Sequence, residues 1–377
     1  MASGELVAEY LAIPRIVRFI DSTATTTALR GHGDNAMDTT RRQLLAGLAA
    51  APSLVLPARF AQAAESLKIS HQFPGGSDKE GDFRHRLCAR FAQEIDKRSG
   101  GALKANVYPG SSLMKVNAQL SAARKGALDM TLIPLPYGGG EIPELNIALM
   151  PGLVTSYEQG FSWKKAEIGK ALTDLLADKG LIIVTWIWQA GGAASRNAPV
   201  IAPEDVKGLK YRGGSREMDM VAKAAGATTL SLPSSETYAA MQTGAVDVVM
   251  TSATSLISFR LQEVSKHLTI SKVGKSYWFM LEPLLMSKAV FDKLPKDQQA
   301  LIMSVGTELE KFALEGARAD DAAVADAYLK AGAKVHDLTD AALAKWVGLA
   351  RTAAWKDYAD KSENCARLLK LAEKVSA

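Results

Sequence analysis

One phrase occurs twice in this chain, and it restricts the fold more than any other feature. Gly126-Ala127-Leu128-Asp129-Met130 and Gly244-Ala245-Val246-Asp247-Val248 each read as a glycine helix stop running straight into an apolar strand. A second parallel accompanies it. Leu103-Lys104 to Tyr108-Pro109-Gly110 matches Leu209-Lys210-Tyr211 to Gly213-Gly214, a strand closed by a turn. Repeated strand, helix and glycine stop predict two similar α/β domains, each a mostly parallel sheet with helices on both faces. The match is too short for a solenoid. At 377 residues the chain can bury a core in each domain.

The rest of the chain follows the same grammar. Leu67 to His71 alternates like a strand, and a helix is expected from about Asp78 to Lys97, with Phe83, Leu87, Phe91 and Ile95 on one face. Leu128–Ile133 and Leu181–Trp188 read as buried strands, with a helical stretch around 163–179 between them. Val264–Val273 and Tyr277–Met286 read as extended. Leu294-Pro295 opens a helical pattern to about Leu329, roughly 45–50 Å at 1.5 Å per residue, long enough to cross both domains. Val335–Leu338 is a last strand, and Thr339 can cap a C-terminal helix carrying Trp346, Trp355 and Tyr358. The expected division is residues 64–189 with 277–317 as one domain, and 190–276 with 318–377 as the other.

Residues 1–63 read differently. Thr39-Thr40-Arg41-Arg42 precedes an apolar run from Leu44 to Leu56, and Ala61-Gln62-Ala63 supplies a small-residue cleavage site. Basic pair, short apolar core and A-x-A make a signal peptide of twin-arginine type, with Met37 as its start and residues 1–36 as an upstream extension. The apolar run is shorter than the about 20 residues that span a bilayer. Export to the periplasm is therefore expected. Net charge of +5 is dispersed among acidic residues, which does not fit nucleic-acid binding. Two cysteines, Cys88 and Cys365, exclude a disulfide framework; Cys88 fits the apolar face of its helix, and a single bridge is left open.

The chemistry points to the stretch from Pro199 to Ser252. Arg212 ends a short strand, where ligands of open α/β sheets bind. Its planar fork suits a carboxylate through two parallel charge-assisted hydrogen bonds. Gly214, beside it, permits close backbone approach. Ser234 and Glu236 open a capped helix, and Thr251 and Ser252 lie just beyond the strand Val246–Met250 as hydroxyl donors into a cleft. Tyr137, Trp188 and Trp278 flank apolar strands as candidate walls, and Phe73 follows the first strand. Glu236 either serves the helix dipole or orients Arg212. Asp247 is expected to fix backbone at a strand entrance, as Asp129 would in the other domain. No Gly-x-Ser-x-Gly elbow, P-loop or His-Glu-x-x-His motif is present, so a binding protein is expected, without catalytic residues, cofactor or metal.

Lys207-Gly208-Leu209-Lys210-Tyr211-Arg212, Ser235-Glu236-Thr237-Tyr238 and Gln242 to Asp247 resemble the substrate-binding proteins of TRAP transporters, the DctP type. Val107 to Leu113, Gly126 to Met130 and Leu294-Pro295 before a very long helix fit the same family, over roughly Leu67 to Tyr358. The resemblance implies a two-domain, type II-like periplasmic receptor with a hinge and a long interdomain helix. It would close over a small organic acid and deliver it to a sodium-driven TRAP permease. A monomer is expected, with a dimer as the alternative; a ligand-sensing signalling subunit is the alternative function. The family's carboxylate clamp maps onto Arg212. Many members carry a second arginine in the preceding strand-loop, where this chain reads Trp186 to Ser195 and reaches Arg196 several residues late. That departure bears on the ligand rather than on the class.

Overall fold

The computed structural model describes residues 65–77, 79–271 and 274–375. The export signal lies outside the described residues, as do Asp78 and Val273, where the sequence places one helix start and one strand end. Strands β1 (Glu65–His71), β2 (Leu103–Tyr108), β3 (Met130–Leu132) and β4 (Leu181–Thr185) come first along the chain. They are followed by β5 (Trp188–Ser195), β6 (Lys210–Arg212), β7 (Thr228–Thr229), β8 (Val248–Ser252) and β9 (His267–Ile270). Last are β10 (Phe279–Leu281), β11 (Leu284–Ser287) and β12 (Lys334–Asp337). They form two sheets, ordered β2-β1-β3-β11-β4 and β12-β9-β5-β8-β6-β7, with β10 paired to β5.

Each sheet is mostly parallel, as expected, with one strand reversed in each, β11 in the first and β5 in the second. β1 is parallel to β2 and β3, and β6 to β7 and β8, as strand-helix-strand repeats require. β11 and β5 run against their neighbours. The reason is connectivity: these strands begin as the chain passes from one sheet to the other, with no crossover helix to reverse it. The passages are residues 186–187 and 282–283, and they lie side by side, Glu282 N donating to Ile187 O at 2.9 Å. The stretches Leu181–Trp188 and Tyr277–Met286 are therefore each divided between two sheets.

The repeated phrase has the same structure both times. Gly126 and Gly244 take left-handed backbones, φ +74 and +76. Asp129 Oδ2 accepts from Lys68 N at 2.8 Å, and Asp247 Oδ2 accepts from Lys210 N at 3.0 Å. Each carboxylate thus ties the loop before a central strand to the backbone of the strand beside it.

The helix Lys296–Lys330 has 35 residues, about 52 Å at 1.5 Å per residue. Gly306 lets it lie against β4, and Gly316 against Phe83 at the start of the helix Phe83–Arg98. Further along, Val324 and Tyr328 enter a core under the second sheet with Ala194, Val249 and Leu268. The helix Phe83–Arg98 starts later than periodicity suggests because Asp82 caps it, its side chain accepting from Arg84 N. The stretch 163–179 is two helices, Tyr157–Trp163 and Glu167–Asp178. Aromatic tips pin the C-terminal helices: Trp346 Nε1 donates to Ile201 O, Trp355 Nε1 to Pro151 O, and Tyr358 Oη to Glu144 O. Cys88 and Cys365 are buried free thiols. Among the described residues no helix is long and apolar enough to cross a membrane.

A Cβ on Gly306 would stand 2.3 Å from Val184 O, whereas one on exposed Gly348 meets nothing within 4 Å. Gly306→Ala is expected to lower unfolding stability by about 1–3 kcal/mol. Gly348→Ala, by contrast, is expected to raise it by up to about 1 kcal/mol. Urea unfolding monitored by circular dichroism measures both.

Candidate ligand-binding site

Along β6 Lys210 is exposed while Tyr211 and Arg212 are buried; Lys210 and Arg212 share a face, so it is the packing around the strand's end that covers Arg212. Arg212 is the last residue of β6, at its carboxyl end, and pairs with Val249 near the start of the parallel strand β8. Although only 2% exposed, its guanidinium is well supplied with acceptors. Nε donates to Leu232 O at 3.0 Å, Nη1 to Met250 O at 3.1 Å, and Nη2 to Tyr137 Oη at 3.1 Å. A guanidinium has five N–H groups. These contacts leave two of them, one on each terminal nitrogen, the set needed for a two-point contact with a carboxylate. Gly214 passes close by at φ +93; a Cβ there would lie 3.0 Å from Nη1.

Tyr137 belongs to a 3₁₀ turn, Leu135–Gly138, that follows β3 in the first sheet. Its hydroxyl accepts from Arg212 and also from Ser234 N at 2.9 Å. With both acceptor positions used, its own proton remains to donate. Tyr137 is thus a polar bridge from the first-sheet side to the second. Trp278, just before β10 on the second-sheet side, donates from Nε1 to Gly213 O at 2.9 Å.

The opposite wall carries a second guanidinium. Arg84, on the helix Phe83–Arg98, donates from Nε and Nη2 to the two Asp82 oxygens at 2.9 and 2.6 Å. Nη1 donates to Glu282 Oε2 at 3.1 Å and Nη2 to Ser255 Oγ at 3.1 Å. Phe73 lies beneath, with the guanidinium carbon 3.6 Å from the ring centre. His71, stacked on Phe73, is held down to about 3 by burial and by His85, so it adds no charge here. Burial pushes Asp82 up, but Arg84 outweighs this and holds it below the usual carboxylate range. Burial pushes Glu282 above that range despite Arg84. Glu282 Oε2 also accepts from Gln189 Nε2, while Oε1 has no partner.

Arg84, Arg212, Tyr137, Gly214, Ser234, Thr251, Trp278 and Glu282 line one cavity of about 10 Å³, room for about one water. A larger cavity of about 340 Å³ adjoins it, sharing Tyr137 and Gly214 and lined further by Asn117, Asn146 and Arg216. Six residues expected from sequence therefore meet at the inner cavity: Arg212, Gly214, Tyr137, Ser234, Thr251 and Trp278. The other four do not line it. Ser252 caps the helix Ala253–Ser258 and bonds Ser255 Oγ at 3.0 Å. Phe73 is the shelf under Arg84. Glu236 is exposed and makes no bond to Arg212. Trp188 is buried edge-to-face on Trp163 and against Gly160, in the core. Arg196 pairs with Asp247 at 3.6 Å, away from this cavity. Among the described residues no group of three or more metal-capable side chains comes together.

Arg84 and Glu282 went unnoticed in the sequence, yet each leaves a trace. Arg84 precedes Cys88, Phe91 and Ile95 on a buried helical stripe, and Glu282 is the lone charge in the apolar run from Tyr277 to Met286. Arg84→Met would leave Asp82 and Glu282 buried without their cation. It is expected to cost about 3–5 kcal/mol of stability, read from denaturant unfolding.

The profile of the family described as bacterial extracellular solute-binding protein, family 7 (DctP), matches residues 75–361. A solute-binding protein of Albidiferax ferrireducens is 62% identical over 336 residues, 89% of this chain and 99% of the relative. A C4-dicarboxylate-binding periplasmic protein of Rhodobacter capsulatus is 28% identical over 81% of this chain and 90% of its own. Among solved structures, a TRAP periplasmic solute-binding protein from Rhodoferax ferrireducens with bound malonate is 64% identical. It superposes with a TM-score of 0.81 over 82% of this chain and 98% of that one. The ligand-sensing alternative draws no support from these matches.

Proposed function

The chain belongs to the bacterial extracellular solute-binding protein family 7, and on that premise we propose that it is a TRAP receptor whose Arg212 clamps the carboxylate of a small organic acid between the two sheets. The observation that carries this reading is the pair of unused N–H groups on a guanidinium whose other donors are fixed by Leu232, Met250 and Tyr137. The bonds to Leu232 O and Met250 O hold the guanidinium before the ligand arrives, so little side-chain entropy is lost on binding. Tyr137 Oη adds a neutral donor, and Thr251 and Ser234 border the same space. Malonate, bound by the 64% identical relative, is the ligand size we assign to the cavity.

The inner cavity holds about one water, so the acid enters only when the walls separate. Residues 186–187 and 282–283 are the flexing points we assign, with the helix Lys296–Lys330 as a strut. Closure restores the Tyr137–Arg212 bond over the ligand and shifts the population toward the closed form. The closed receptor then presents its cargo to the membrane permease. One chain carries both walls, which supports a monomer as the working unit. Arg41-Arg42, the apolar run after them and Ala61-Gln62-Ala63 support delivery to the periplasm by the twin-arginine route.

Arg212→Lys replaces a fork by a single point charge. It is expected to weaken malonate binding about a hundredfold or more, since hydrogen bonds to charged groups are worth about 1.5–3 kcal/mol each. Calorimetric titration measures the loss, and an unchanged thermal midpoint of the free protein shows that the fold survives. Equal affinity would remove Arg212 from the site. For export, N-terminal sequencing of the periplasmic protein is expected to begin near Ala64, and replacing Arg41 and Arg42 by lysines is expected to retain it in the cytosol.

A further inference from the structure

We propose that Glu282 is a second ligand contact, accepting a hydrogen bond from an N–H or O–H group beside the bound carboxylate, so that the preferred cargo is an amino-, hydroxy- or lactam-type acid rather than a plain carboxylate. This rests on Arg212 being the carboxylate anchor.

Glu282 is wholly buried and lines the same inner cavity as Arg212. Its two oxygens are treated unequally. Oε2 accepts from Arg84 Nη1 and Gln189 Nε2, while Oε1 accepts from nothing. Among the described side chains lining that cavity, no other has a buried polar atom left unpartnered. A buried acceptor without a donor is unfavourable and native structures rarely keep one. A ligand that brings the donor removes that penalty only when bound.

The charges point the same way. Arg84 is matched by the two-point contact with Asp82. Arg212 is matched by the ligand's carboxylate. Glu282 shares the Arg84 cation with Asp82 through Oε2 alone, so the two carboxylates keep a net negative charge, which a hydroxyl, a lactam N–H or above all an ammonium group complements. A second bare carboxylate there would meet like charge. The contact also falls at a crossing between sheets, because Glu282 N is bonded to Ile187 O and Gln189 begins two residues later. A donor on Oε1 therefore binds where the walls are joined.

The test uses propionate, lactate and alanine, which share one skeleton and differ in bearing hydrogen, hydroxyl or ammonium beside the carboxylate. Malonate and hydroxymalonate form a parallel pair. Each is titrated calorimetrically against the wild-type chain, Glu282→Gln and Arg212→Lys. Glutamine keeps the volume; its oxygen takes the bonds from Arg84 and Gln189, which turns its NH₂ toward the cavity and converts an acceptor into a donor. Lactate, alanine and hydroxymalonate are expected to bind wild type about ten- to a hundredfold tighter than their partners. Glu282→Gln is expected to abolish that preference and to bind malonate more tightly than wild type, because the like charge facing its second carboxylate is replaced by a donor. Arg212→Lys is expected to weaken every acid.

Equal wild-type affinities within each set would overturn the proposal, and that comparison needs no variant to fold. A preference that survives in Glu282→Gln overturns it too, as would happen if a protonated Glu282 donated to the ligand, and so does an equal loss for all acids. If Arg212→Lys still weakens every acid in those cases, the carboxylate clamp stands without the second contact. If no acid of either set binds wild type, the clamp fails and takes this inference with it.

Discussion

A guanidinium taken out of water must be surrounded by acceptors, and the site is built around meeting that requirement for Arg212. Its three acceptors come from different places: the carbonyl of Leu232 before the 3₁₀ turn Ser234–Glu236, the carbonyl of Met250 in β8, and the hydroxyl of Tyr137 from the other side of the cleft. Two of the three lie on the second-sheet side, one in β8 and one in the loop after β7. The third comes from the turn after β3, on the first-sheet side. One side chain therefore ties elements from both sides of the cleft, and under the proposed function the donors it keeps free are the ones an incoming carboxylate would use.

Arg84 is chemically the same group with a different duty. Asp82 engages it at two points, Glu282 and Ser255 take further donors, and Phe73 covers its face. Burying such a cluster is not a cheap route to stability, because removing several charges from water offsets most of their attraction. Its effect is to specify position. The cluster joins the first helix, the passage at Glu282 and the helix after β8, elements that hydrophobic packing alone would hold less exactly in register. A second guanidinium thus reaches the cleft from the first helix, while the strand-loop where many family members carry theirs supplies Trp188 to the core and Gln189 to Glu282.

Much of the fold was legible because its determinants are local. The recurring glycine stops, the Asp129 and Asp247 ties, the Thr339 cap and the long helix after Pro295 each depend on residues within a few positions or on one period. Six of the expected site residues meet at one cavity because strand ends and their loops gather at a sheet's carboxyl edge. Trp188 illustrates the limit. Its apolar neighbours could not say whether it faced a pocket or Trp163, since both surfaces reward the same side chain.

What the chain determined by itself is the alternation of elements, their caps and stops, and the charged fork at the end of β6. Where the chain leaves one sheet for the other was decided only in three dimensions, because an apolar run reads the same whether it stays in one sheet or changes to the next. So was the opposing wall, in which Arg84 meets Ser255 and Glu282 across 171 and 198 positions of sequence. Contacts at that separation follow from how whole layers pack, and no local pattern encodes them.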